Sequence, residues 1–149
     1  MADLTLGALG VLGVTLQTAT TTYEFISNIR GAPRAIRTLA SHVNTLRQFL
    51  DGFHEVLSKD VIRRRPQNVK FIPLVEDAAE QFKGILKDLD LEVRQYVTYV
   101  SGSRIPEWAG WGSRRRVKYA FSKGSILDLE TCMLAKLSMF HVMLRPMNL

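Results

Sequence analysis

The sequence predicts an all-α fold, a bundle of four to five amphipathic helices in a single domain over residues 1–149. Two observations carry this expectation. Four segments repeat apolar residues at steps of three and four, the period of one helix face, and no segment alternates long enough to argue a strand. Composition agrees: 46% hydrophobic and 23% charged residues are ordinary for a chain that buries one core, and 149 residues are enough to build it.

The first segment is predicted as a helix from about Leu4 to Arg30. Leu4 to Tyr23 is 20 residues without a charge, between Asp3 and Glu24, about the length that crosses a bilayer. Six of the 20 are Thr and three are Gly, whereas resident spans are more uniformly apolar. The preceding Met-Ala-Asp lacks the basic region of a secretory signal. The expectation is therefore a helix buried in the bundle, with an apolar edge at Tyr23, Ile26 and Ile29. Gly31-Ala32-Pro33 ends it. Gly7, Gly10 and Gly13 recur every three residues as a smooth ridge. Each glycine costs a helix interior about 1 kcal/mol relative to Ala. Such a segment suits either close helix packing or a helix that leaves its bundle. The residues expected to act on a membrane are Leu4, Leu6, Gly7, Leu9, Gly10, Leu12, Gly13 and Leu16.

The second helix is predicted over Arg34–Ser58. Its seam is Ile36, Leu39, Val43, Leu46, Leu50 and Phe53, extended to Leu57. A basic loop, "SKDVIRRRPQNVK", follows. The third helix is predicted from about Phe71 to Val100, with Pro73 in its first turn, where a missing N–H costs nothing. "SGSRIPEW" is a break. "PEWAGWGSRRRVKYAFS" reads as a short helix, and a last helix runs from Ser125 through Ile126, Leu129, Met133, Leu137, Phe140 and Leu144 to a stop at Pro146.

The formal charge is +6, which favours anionic partners. Two basic clusters stand out. Lys59, Arg63, Arg64, Arg65 and Lys70 surround the first loop; Arg104, Arg114, Arg115, Arg116 and Lys118 form the second. Arg63, Arg64, Arg65, Arg114, Arg115, Arg116 and Lys118 are the expected patch for anionic lipid or a partner, each residue near an anionic surface contributing about 1 kcal/mol. Trp108 and Trp111 are three apart, suited to a headgroup region or to the core. No zinc-finger spacing, RNP strand or helix-turn-helix signature is present, so no specific nucleic-acid partner is expected.

Enzyme chemistry is hard to assemble. His42, His54 and His141 fall in no metal-binding spacing, and no GxxxxGK[ST] loop exists. Cys132 is expected to be a buried, inert thiol. No catalytic residue, cofactor, metal or small-molecule substrate is expected. A single cysteine fits a reducing, cytoplasmic setting.

Three stretches, "MADLTLGALGVLGVTLQTATTTYEFISNI", "APRAIRTLASHVNTLRQFLDGF" and "WAGWGSRRRVKYAFSKGSILDLETCMLAKLSMFHVML", resemble the fungal HeLo-like N-terminal domains found ahead of NACHT-type or ankyrin-repeat regions. The resemblance covers nearly the whole chain; Lys59 to Val100 matches only as a helix. It rests on apolar spacing and on Trp108 and Trp111 followed by a Lys/Arg-rich helix. The resemblance implies the effector end of a fungal immune-type or incompatibility receptor, one that oligomerises and induces cell death by acting on the plasma membrane through its first helix. It also implies that nucleotide hydrolysis sits in a separate downstream domain, so the stop at Leu149 reads as a fragment or a stand-alone copy. The competing expectation is an interaction module that self-associates or binds a homologous domain, with the glycine ridge as its close-packing face and no membrane step.

Overall fold

The computed structural model describes residues 2–102 and 125–147, with the side chains of 7–95, 97 and 126–147. Among them there are six helices and no strand: α1 (Ala2–Ser27), α2 (Arg34–Ser58), α3 (Asp60–Arg63), α4 (Pro66–Val69), α5 (Ile72–Gly102) and α6 (Ser125–Leu144). The fold is an all-α bundle, with α1, α2, α5 and α6 as its four long members. The short helix expected near Trp108 and Trp111 lies outside the described residues.

The expected boundaries of α2 hold to the residue. Ile36, Leu39, Val43, Leu46, Leu50, Phe53 and Leu57 are all buried, because steps of three and four keep one stripe turned inward. α1 stops at Ser27, and Gly31 takes a φ of 65°, a left-handed conformation open to glycine at little cost. The stretch expected to be a basic loop instead holds two single turns, α3 and α4. Asp60 opens the first and Pro66 the second. Asn68 is fully buried and its Nδ2 donates to the Ile62 carbonyl at 2.9 Å, stitching the two turns together.

The long helices stand in a ring. α1 packs against both α2 and α5; α6 packs against α5 and, less extensively, against α2. α1 and α6 therefore occupy opposite corners. Side-chain pairs set the directions. Tyr23 lies under Arg47 and Phe25 under Arg94, so α1 runs antiparallel to α2 and parallel to α5. His42 meets Glu130 and Phe49 meets Phe140, so α6 runs parallel to α2. One end of the bundle thus gathers the start of α1, the end of α2, the α3–α4 connection, the start of α5 and the end of α6. The other end holds the α1–α2 turn, Gly102 and Ser125.

Phe140 joins the two diagonal helices. Its ring meets Phe49 and Phe53 of α2 at 5.6 and 5.5 Å and Phe82 of α5 at 6.0 Å, all edge to face, the arrangement aromatic quadrupoles favour. Phe140→Ala should cost about 3–5 kcal/mol of unfolding free energy, as a large core truncation does. Urea denaturation monitored by circular dichroism measures it; a loss under about 1 kcal/mol, ordinary for a surface substitution, would remove Phe140 from its bridging role.

Candidate functional site

The candidate site is α1 and its seat in the bundle. Its buried line is Ala8, Leu12, Thr15, Ala19, Thr22 and Ile26, each at most 2% exposed. The steps are four, three, four, three and four, a regular seam. Only Leu12 and Ile26 are large. Leu9, Val11, Leu16, Tyr23 and Phe25 pack half-buried along its sides.

Thr15 anchors the seam. Its Oγ1 lies 2.8 Å from the Val11 carbonyl and 2.9 Å from the Ala79 carbonyl of α5. The single hydroxyl proton is shared between the two acceptors, so a buried polar atom is satisfied while tying α1 to α5. Thr18 and Thr20 donate to the carbonyls of Val14 and Leu16, which lets hydroxyl residues sit in the helix.

The expected membrane-active residues do not share a face. Leu12 is in the centre of the seam; Leu9 and Leu16 are half-buried; Gly7 and Gly10 are exposed and Gly13 half-buried. The side chains of Leu4 and Leu6 lie outside the described residues. Within the bundle the glycines do not pack as one ridge. A Cβ built at Gly7 would meet Glu76 Oε1 at 3.9 Å and one at Gly13 would meet His54 Nε2 at 3.5 Å, while one at Gly10 would meet nothing within 4 Å. Residues spaced by three drift around a helix, so Gly7 looks toward α5, Gly13 toward α2 and Gly10 to solvent. Close approach comes instead from the small residues of the seam.

The basic patch divides. Arg63 is largely buried, its Nη2 bound to Asp60 Oδ1 at 3.1 Å, and its Nε makes no hydrogen bond. Arg64 is 79% exposed and pairs with the other Asp60 oxygen at 3.1 Å. Arg65 is half-buried and Lys59 and Lys70 are exposed. Arg114, Arg115, Arg116, Lys118, Arg104 and both Trp residues lie outside the described residues.

Other chemistry is dispersed. His42 Nδ1 lies 3.1 Å from Glu130 Oε1, linking α2 to α6. His54 faces Gly13, and the His141 ring meets Phe49 at 4.4 Å, tilted by 56°. Among the described residues no three His, Cys, Asp or Glu side chains group to hold a metal. Cys132 is exposed, not buried as expected, because it falls on the outward side of α6, away from Met133 and Leu137. Sequence reasoning missed that side: Thr131, Cys132, Ala135, Ser138, Met139 and Val142 are all exposed and uncharged. Lys136 as the only Lys or Arg from Ser125 to Leu144 was the available signal. Beside it, Leu74, Ala78, Phe82, Met139 and Met143, with Asp77, Gln81 and Lys136, line a groove of about 230 Å³ between α5 and α6.

Because Gly10 has open space and ordinary helical backbone, Gly10→Ala should raise unfolding free energy by about 0.4–1 kcal/mol. Gly31→Ala should lower it, by about 1 kcal/mol, because its φ of 65° is strained for any Cβ. Thermal and denaturant midpoints of the two variants check both signs.

No helix among the described residues is long and apolar enough to cross a membrane. No family model matches the chain, and no curated protein or solved structure matches it.

Proposed function

We propose that the chain is a non-enzymatic signalling domain whose effector element is α1. At rest the bundle covers the apolar side of α1. Clustering frees the helix, and basic residues bring the assembly to anionic lipid, where α1 enters the interface. The HeLo-like resemblance implies this sequence of events, with a fungal immune-type or incompatibility receptor as the setting. The observation that carries the reading is the seam: four of its six buried positions are Ala or Thr. A helix held this way gives up less apolar burial on leaving than a leucine-lined one. As α1 does not meet the requirement for a span, the proposed action is interfacial insertion, which needs an apolar side rather than uniform hydropathy.

A second reading is a self-associating interaction module. The outward side of α6 favours it, since Met139 and Val142 are well exposed there among small uncharged residues, and exposed apolar side chains grouped together mark a contact site.

Dye release from anionic liposomes separates the two. Leu9 packs half-buried beside the covered line of α1, on the side that insertion uses. If α1 inserts, Leu9→Ser at unchanged helicity should lower release, because it removes apolar area from the inserting side. Release unchanged by Leu9→Ser, or absent in the folded and clustered protein, would favour the interaction module.

A further inference from the structure

Eight large hydrophobic side chains are well exposed among the described residues, and five of them sit at one end of the bundle. Val61 (71%) is on α3, Val69 on α4 and Leu74 on the first turn of α5, and Met139 (72%) and Val142 are on the last turns of α6. Leu74 and Met139 line the same groove, so the α5 and α6 members adjoin. Exposed Lys59, Arg64, Lys70 and Arg145 are interspersed with them. Between Lys59 and Lys70 the only acid is Asp60, which is already bound to Arg63 and Arg64. Glu55, Glu76 and Asp77 stand one turn inside, where Asp77 accepts from Gln81. The opposite end also carries exposed Arg30, Arg34 and Arg37, but only Leu91 and Leu127 as exposed large hydrophobics.

Basic charge alone would suit any polyanion. Basic charge interleaved with exposed Val, Leu and Met suits a surface with anionic headgroups above an apolar layer, since charge attracts the protein and the apolar side chains insert. We propose that this α3–α4 end docks on anionic phospholipid with the bundle still folded. The inference rests on the reading that the domain works at a membrane, and it specifies the orientation and the first step. Gly7 of α1 lies beside Glu76, so docking brings the start of α1 to the lipid before any helix is released.

Co-sedimentation of the 149-residue chain with phosphatidylcholine vesicles, with and without phosphatidylserine, tests it. Binding should require phosphatidylserine. The triple variant Arg64→Glu, Lys70→Glu, Arg145→Glu should bind about 100-fold more weakly, at about fivefold per basic residue removed. Val61→Ser with Val69→Ser should also weaken binding, at unchanged helicity. Arg30→Glu, Arg34→Glu and Arg37→Glu together should leave binding unchanged. No binding by the folded chain, or equal losses from reversing either end, would overturn the proposal. Dye release read on the same vesicles separates the two readings. Docking without release contradicts α1 insertion alone. Release and binding that ignore the α3–α4 reversal contradict this inference alone.

Discussion

The seating of α1 between α2 and α5 is the constraint on which the rest of the bundle depends. α2 and α5 are diagonal, and they are held in register from two sides. On one side Phe140 of α6 touches both through aromatic edges. On the other, α1 lies along both with Ala8, Thr15, Ala19 and Thr22 in its seam. The two sides are unequal. An Ala or Thr in place of Leu forgoes about 2 kcal/mol of apolar burial. Four such positions together forgo an amount comparable with the whole net stability of a domain, about 5–15 kcal/mol. The Thr15 bond to the Ala79 carbonyl offsets little of this, since a net hydrogen bond contributes about 1 kcal/mol. The small seam allows close approach of backbones, and α1 packs along both neighbours more extensively than α6 does, while each small seam position contributes less apolar burial than a leucine would.

The same topology gives the bundle two distinct ends. α1 and α5 run one way, α2 and α6 the other, so the start of α1 stands beside the α3–α4 turns. Those turns carry Val61 and Val69 outward because their inward positions are taken by Ile62 and Asn68. The basic residues of that connection are not equivalent. Arg63 is held inside by Asp60, while Arg64 and Lys70 face water. A surface pair such as Arg64 with Asp60 contributes little to stability, so Arg64 is available to an anionic partner.

Much of this was legible in the sequence. The α2 seam was read residue for residue, because a strongly amphipathic pattern leaves one solution for the buried stripe. That α1 packs in the bundle was legible too, but it sits at a corner, with Gly10, Val14, Gln17 and Thr21 exposed, rather than at the centre. Which of its faces is buried was not legible. An all-round uncharged helix has no polar side to point outward, so the seam through Ala8, Thr15 and Ala19 is chosen by what α2 and α5 offer. For the same reason Cys132 was misread as buried, since α6 also lacks a strongly polar side. The turns of α3 and α4 were hidden because single turns are too short to show a period. Asp60, Pro66 and Asn68 were the local signals that shape them.

The most direct test of this account is native-state hydrogen exchange resolved by helix. If the small seam makes α1 separable, the amides around Leu12 to Thr22 exchange through an opening of lower free energy than those of the α2, α5 and α6 cores. That opening leaves the Phe140 cluster protected. Exchange of α1 only through global unfolding, at the same free energy as Leu46 and Leu86, would contradict it.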